Sequence, residues 1–335
     1  MVGWFKILKL IPLLFLPIAF YLFHNQSYFY SIVSIEQKCP CSFDSIASCQ
    51  ASRNPKRTLM YIIWGKGGYC SEMNQLLLAF AYSVWSKRHF IIDARQWNYG
   101  NFSHYFHVPS MNYFPYSNRT YLGKNNNENE LIDHAQTTRT GNILNRFWIA
   151  SLKVQSLEKI RYVTHYLWKS LTNETLKFIE EHRIKRLPKT YIGIHVRKGD
   201  KLIKEAREIP LMEYITLIEA MVKRKKKIRH IFVASDDHTV IGQLRRLRPR
   251  WHFVGIDRRK HRKTDTTGHY QKNFDQLSEK DKIFETRLFM TEMQMLIDAK
   301  YVLCGMSSNV CRFIQLLRHQ NPATLISLDY KWRST

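Results

Sequence analysis

Seven consecutive residues, His195-Val196-Arg197-Lys198-Gly199-Asp200-Lys201, set four cationic or ionisable side chains beside one carboxylate. The apolar run Tyr191–Val196 reads as a buried strand, so this cluster gathers at its carboxyl end. An arginine there can grip a diphosphate through two parallel hydrogen bonds. Gly199 lets the backbone turn sharply behind it. The plainer alternative is a basic strand end held by local ion pairs. Two more clusters have the same setting: Ser235-Asp236-Asp237 follows the apolar run Ile231–Ser235, and Gly305-Met306-Ser307-Ser308 follows Tyr301–Gly305. Ser307 and Ser308 open a helical period through Val310, Phe313, Ile314 and Leu317. Serine caps helices routinely, and a helix start is also a good place for a phosphate. Cys304 and Cys311 flank this turn, and the sequence fits either a disulfide between them or two buried thiols.

Several chemistries lack their residues. There is no Asp-x-Asp pair, and Glu279-x-Asp281 lies in a polar segment. Cations rather than a metal are therefore expected to neutralise a diphosphate, and no cofactor is expected. The phosphate loop of ATPases is missing, as is the Gly-x-Gly-x-x-Gly dinucleotide fingerprint, so ATP hydrolysis and NAD chemistry have no support.

The elements that must position the three clusters are strands alternating with helices. Candidate strands are Tyr191–Val196, Ile231–Ser235, Trp251–Ile256, Tyr301–Gly305 and Leu325–Leu328, with helical periods at Leu211–Lys223 and Ile283–Ile297. Strands with little polar alternation, separated by helices, imply an α/β fold whose parallel sheet is covered on both faces. Ligands of such sheets bind at the carboxyl ends of the strands, where the clusters lie. Upstream, a strand at Leu59–Ile63 ends at Gly65-Lys66-Gly67-Gly68, a helical period runs through Met73–Ala81, and Phe90–Ile92 reads as another strand. Residues 143–186 read mostly as helix, and the polar Asn125–Glu130 as a loop tip. This divides the chain into 1–30, 31–57 (a short stem), 58–189 (an α/β and helical lobe) and 190–335 (the lobe carrying the clusters).

The front of the chain assigns a compartment. Lys6 and Lys9 precede fourteen apolar or aromatic residues, Leu10–Phe23, and no small-residue cleavage site follows. The expected arrangement is a single-pass signal anchor with a cytosolic tip and a lumenal body, with an inefficiently cleaved signal peptide as the alternative. Sequons at Asn25, Asn101, Asn118 and Asn173 agree with a lumenal body. So do six cysteines, an even number suited to an oxidising compartment. The pairing among Cys39, Cys41, Cys49 and Cys70 is left open by the sequence.

At these residues the sequence resembles a known family. His195–Lys201 is similar to the His-Val-Arg-Arg-x-Asp-Lys motif of α1,6-fucosyltransferases, the animal core enzymes and the rhizobial nodulation enzymes. The likeness runs through Glu205 to Tyr214, recurs at Ser235-Asp236-Asp237 and Cys304–Arg312, and closes at Ser327-Leu328-Asp329. Gly68-Tyr69 and Arg95–Tyr99 resemble the family's N-terminal lobe. The resemblance implies a GT-B-like, two-lobed glycosyltransferase whose C-terminal lobe is a Rossmann-type parallel sheet, here preceded by a transmembrane helix. It implies an inverting, metal-independent enzyme that moves fucose from GDP-fucose to a glycan, in α1,6 linkage on N-glycans, in the Golgi membrane. By position, His195 and Glu292 would meet the guanosine, with Glu292 standing where the family has aspartate. Arg197, Lys198, Tyr214, Ser307 and Ser308 would hold the diphosphate. Glu205 would be the general base with Lys201 beside it, and Asp200, Asp236 and Asp237 would orient the site. Lys198 replaces the family's second arginine, and the animal enzymes' C-terminal SH3 domain has no counterpart in this sequence.

Two other readings belong beside this one. One is a fucosyltransferase of another linkage or acceptor: α1,2-fucosyltransferases share the Arg-x-x-Asp pattern, and protein O-fucosylation is a further alternative. A catalytically inactive, basic lectin-like or polyanion-binding membrane protein would account for the charge alone. That charge is +25, and a run such as Lys223–Lys227 reads as a solvated face. No zinc-finger spacing or RNA-binding aromatic motif accompanies it, so nucleic acid is not expected as a partner, while a second copy of the chain is a candidate.

Overall fold

Two all-parallel sheets carry the chain in the computed structural model, which describes residues 58–86, 88–107, 112–113, 129–133, 153–199, 207–224, 228–258, 268–318 and 324–329. These residues lie within one unit, Phe43–Thr335. The expected anchor and stem, together with Asn25, Asn118, Cys39, Cys41, Cys49, Asp200, Lys201, Glu205 and Lys225–Lys227, fall outside the described residues. Among those described, no helix is long and apolar enough to cross a membrane.

The first sheet has the order β3-β2-β1-β4, from β1 (Thr58–Ile62), β2 (His89–Asp93), β3 (Asn112–Tyr113) and β4 (Asn129–Asp133). Helix α1 (Tyr69–Trp85) links β1 to β2. Its buried residues Met73, Leu76, Leu77 and Phe80 recur at helical spacing. Strand β4 takes in Asn129 and Glu130, the end of the expected loop tip, which pair with Thr58 and Leu59. Polar composition hid a strand whose backbone bonds come from β1. The helical reading of 143–186 resolves into α2 (Lys153–Lys169) and α3 (Asn173–His182) within the described residues.

The second sheet has the order β7-β6-β5-β8-β9, from β5 (Ile192–Val196), β6 (His230–Ser235), β7 (His252–Val254), β8 (Tyr301–Cys304) and β9 (Leu325–Ser327). Each strand coincides with one expected from the sequence to within a few residues at its ends. Helices cover both faces. On one side, Ile192, Ile194 and Val196 pack with Tyr214, Ile215 and Ile218 of α4 (Leu211–Arg224) and with Val240 and Leu244 of α5 (Thr239–Leu247). On the other, Phe232, Ala234 and Val302 pack with Met295 and Leu296 of α7 (Glu279–Asp298) and Ile314 of α8 (Asn309–Leu317). A short α6 (Gln271–Asp275) precedes α7. Each fully buried aliphatic side chain contributes about 1.5–3 kcal/mol.

Helix α7 lies close on β5. A Cβ at Gly193 would come within 2.9 Å of Leu296 Cδ2 and 3.1 Å of Ala299 Cβ. The far end of α7 is held by the Arg318 guanidinium, which donates to the carbonyls of Leu296, Ile297, Ala299 and Lys300 and to Thr324 Oγ1. These bonds satisfy carbonyls that a helix end leaves unpaired.

Candidate active site

The strand order reverses between β5 and β8, so the chain leaves these neighbouring strands in opposite directions and opens a crevice at their carboxyl ends. His195 and Arg197 come from the end of β5, Ser235 and Asp236 from the end of β6, and Ser308 from the turn after β8. All five line one cavity with about 930 Å³ of space unfilled by protein, part of it open to solvent. Period-two geometry explains which residues of β5 reach it. Ile192, Ile194 and Val196 face the α4 side, which leaves Gly193, His195 and Arg197 on the α7 side.

Asp236 is the junction of this end of the sheet. Its Oδ2 accepts from Arg197 Nη1 at 2.8 Å and from the His269 backbone N–H at 3.1 Å, and its Oδ1 accepts from the Lys198 backbone N–H at 2.7 Å. One carboxylate thereby fixes the Arg197 guanidinium and ties β5 to the segment before α6. Gly199 makes the approach feasible. Its φ is +72°, and a Cβ there would sit 2.4 Å from the His269 carbonyl oxygen.

Beside this junction lies a second ionic cluster that the sequence did not announce. Arg258, just after β7, donates from Nη2 and Nε to the two Glu292 oxygens at 2.6 and 3.3 Å, and from Nη1 to Glu285 at 3.0 Å. Burial opposes the charge on Arg258, yet the two carboxylates hold it more firmly protonated than an ordinary guanidinium. Burial pushes the Glu292 carboxyl above its usual range, with Arg258 opposing the rise and Glu285 adding to it.

His195 is pushed down to about 4, chiefly by burial, with Asp236 opposing and Arg197 assisting. The imidazole is therefore neutral at physiological pH, and its Nδ1 has no hydrogen-bond partner among the described residues. The unfolded chain takes up this proton near 6.5, and the folded chain only near 4. The stability linked to neutral His195 is thus complete above pH 6.5 and is lost as pH falls through 4, up to about 3 kcal/mol. His195→Gln should lack this component. Denaturant midpoints at pH 7 and pH 4.5 should fall further in the natural protein than in the variant, and equal falls would refute the assignment.

The remaining walls come from the first sheet's helix and from α7. Helices α1 and α8 both begin at the cavity, with Gly68 and Ser308 as N-caps and no side-chain capping bond at either. Their first backbone N–H groups favour negative charge. Gly65, with φ +70°, sets up the first of these starts, since a Cβ there would overlap the Gln96 carbonyl oxygen at 1.6 Å. Tyr69 packs edge-on against Trp97, Tyr99 and Phe289 at 5.4–6.0 Å, and Tyr99 stacks obliquely on Phe274 at 4.8 Å. Tyr69, Tyr99, Phe274 and Phe289 all line the cavity.

Of the residues singled out from sequence, His195, Arg197, Asp236, Glu292 and Ser308 meet at the cavity. Four others do not line it. Lys198 pairs its ammonium with Glu208. Asp237 accepts from the N–H and hydroxyl of Thr239, the first residue of α5. Tyr214 is buried beneath β5, where its hydroxyl donates to the His195 carbonyl at 3.0 Å, so it supports the strand rather than meeting a ligand. Ser307 directs its backbone N–H to Asp329 at 3.3 Å. Cys304 and Cys311 form a disulfide. Cys70 is buried with its Sγ 3.6 Å from Met293 Sδ. Residues the sequence reading missed are Arg258, His269, Glu285 and the aromatic wall. Arg258 lies outside every motif singled out from the sequence.

Residues 157–329 match the family of Alpha-(1,6)-fucosyltransferase N- and catalytic domains. An alpha-(1,6)-fucosyltransferase of Drosophila melanogaster is 30% identical over 128 residues, covering 36% of this chain and 18% of that protein. One from Caenorhabditis elegans is 28% identical over 140 residues, 39% of this chain and 22% of that protein. The matched segments are thus about a fifth of the length of either relative. Among solved structures, a GDP complex of an Arabidopsis thaliana FUT1 variant shares the fold, with a TM-score of 0.50 at 11% identity over 89% of this chain and 77% of that one. Fifteen of the twenty cavity-lining residues fall inside the family match, all but Gly68, Tyr69, Cys70, Ser71 and Tyr99.

Proposed function

Because the chain belongs to the family of α-(1,6)-fucosyltransferase N- and catalytic domains, we propose that it transfers fucose from GDP-fucose to a glycan acceptor, with inversion and without a metal. The observation that carries this reading is the overlap of the family match with the strand-end cavity. The cavity's chemistry suits the donor. Two helix starts and Arg197 favour a diphosphate, and the aromatic wall offers apolar faces to a flat base.

As the bond between fucose C1 and the phosphate oxygen breaks, positive charge gathers on the sugar and negative charge on GDP. Donors fixed before the reaction stabilise that developing charge without having to reorganise. Arg197 is such a donor, since Asp236 holds its guanidinium in place. The acceptor oxygen forms the new bond to C1 from the opposite face, and its proton passes to Glu205, the proposed general base, with Lys201 and Asp200 as its proposed helpers. The proposed linkage is α1,6, as the family's name suggests, and the proposed acceptor is an N-glycan.

The Golgi lumen is the proposed compartment. The apolar run Leu10–Phe23 behind Lys6 and Lys9 supports it. So do the exposed asparagines of the sequons at Asn101 and Asn173, since a glycan needs an accessible attachment point.

The full chain in detergent, given GDP-fucose and EDTA, should transfer fucose to an N-glycan or slowly hydrolyse the donor. Preference for GDP-mannose or a UDP-sugar would overturn the donor assignment, and activity that appears only with added divalent metal would overturn the metal-free mechanism.

A further inference from the structure

The amino edge of the second sheet, the end away from the cavity, is entered through basic residues. In the order β7-β6-β5-β8, neighbouring strands are preceded by Arg250, Arg229, Lys189 and Lys300. The strand register brings these residues to one edge. Ile192 of β5 is level with Ile231 of β6 and Tyr301 of β8, and His230 of β6 is level with His252 of β7. Neighbouring strands lie about 4.8 Å apart, so the row extends over about 14 Å. All four side chains are exposed, and so is His252.

Two carboxylates lie toward this end, and each is engaged by an arginine outside the row. Arg248 holds Glu219 at 2.6 Å, and Arg183 holds Asp298 at 3.0 Å. A lysine or arginine in the last turn of a helix is expected from the helix dipole, but none of these four sits in a helix. Scattered solvated charge is the plainer account of basic residues. A row aligned across four strands from distant parts of the sequence is what sets this edge apart.

The ligand that fits is extended and carries several negative groups. An anionic membrane would also call for apolar side chains. The exposed large ones among the described residues, Trp64, Leu176, Met212 and Tyr270, are not at these strand entries. Single-stranded nucleic acid would call for open aromatic faces. Here His230 and His252 stack on each other at 4.8 Å, and Trp251 lies against Phe253 at 5.9 Å. A sulfated polysaccharide needs neither feature, only cations spaced along its path.

We propose that this edge is a second binding surface, on which Lys189, Arg229, Arg250 and Lys300 take the sulfate groups of a sulfated polysaccharide. The imidazole N–H groups of the stacked pair add donors beside the row. The surface uses no residue of the strand-end cavity, so it stands whether or not the chain transfers fucose. It gives a use to part of the +25 charge that the transfer reaction leaves idle.

Calorimetry on the full chain in nonionic detergent tests this, with a heparin decasaccharide as probe and neutral dextran as control. The heparin fragment should bind and dextran should not, and the affinity should fall steeply as salt rises. Lys189→Gln, Arg229→Gln, Arg250→Gln and Lys300→Gln together should weaken binding by at least about tenfold. A second variant removes as many exposed lysines elsewhere, Lys169→Gln, Lys177→Gln, Lys272→Gln and Lys280→Gln. It should stay within about twofold of the natural protein. Equal losses in the two variants would overturn the surface, since net charge alone would then account for binding. So would a natural protein that does not bind the heparin fragment, a measurement that needs no variant to fold. Binding to phosphatidylserine in mixed micelles, without binding to the heparin fragment, would overturn the polysaccharide in favour of a membrane.

Discussion

Arg197→Ala is expected to reduce fucose transfer by about 10²–10³-fold, the usual cost of removing one preorganised donor from a developing negative charge. GDP affinity should fall less than the rate, because charge on the leaving diphosphate grows as the bond breaks. The geometry that supports this is the clasp at the end of β5. Arg197 is only 20% exposed, and Asp236 at 2.8 Å fixes its direction. Arg197→Lys should recover part of the loss but not all, since lysine keeps the charge and loses the planar fork. Asp236→Asn should also lower the rate, and the two losses should not add, because Asp236 acts through the residue it holds. Steady-state kinetics on the single and double variants measures this, and near-normal turnover by Arg197→Ala would overturn the site map.

How far the sequence could foresee this site depends on backbone geometry. Strands β5, β6 and β8 were legible because a parallel sheet buries both faces, which leaves continuous runs such as Ile192–Val196 and Ile231–Ala234. Parallel strands also bring their carboxyl ends together, so His195, Arg197, Asp236 and Ser308 could be expected to meet. Their immediate neighbours Lys198 and Asp237 do not line the cavity. Lys198, one residue beyond Arg197, turns the other way and pairs with Glu208, while Asp237 accepts from Thr239 at the start of α5. Tyr214 belongs to a helix packed on the other side of β5, and its hydroxyl reaches only the backbone.

Arg258 was not legible because nothing in its local sequence distinguishes it from the basic residues that follow. Its role depends on α7 presenting Glu285 and Glu292 seven residues apart, two turns along one face. Strand β4 was missed because its residues pair through backbone groups, which a polar sequence can supply as well as an apolar one. Tertiary pairing made both, and neither leaves a periodic trace.

Glu205→Gln should lower transfer by about 10²–10⁴-fold while leaving GDP affinity unchanged, which is the signature of a general base. Glutamine keeps the shape and can still accept a hydrogen bond from the acceptor hydroxyl, but it cannot take its proton. The proposed role of Glu205 rests on the likeness of His195–Tyr214 to the family's motif. Gly199 lies against the His269 backbone, Lys198 pairs with Glu208, and Arg207 pairs with Glu213 at 3.2 Å. His269 lines the cavity. A base and a binding residue separate cleanly in the kinetics. Loss of the base lowers kcat and kcat/KM together and removes the acid limb of the pH–rate profile, whereas loss of a donor contact raises KM for GDP-fucose. Calorimetry with GDP and a pH–rate profile on the same preparation would tell the two apart. Retained transfer with an unchanged acid limb would remove Glu205 from the role of base and direct the search to the other carboxylates of the site, Asp200 first.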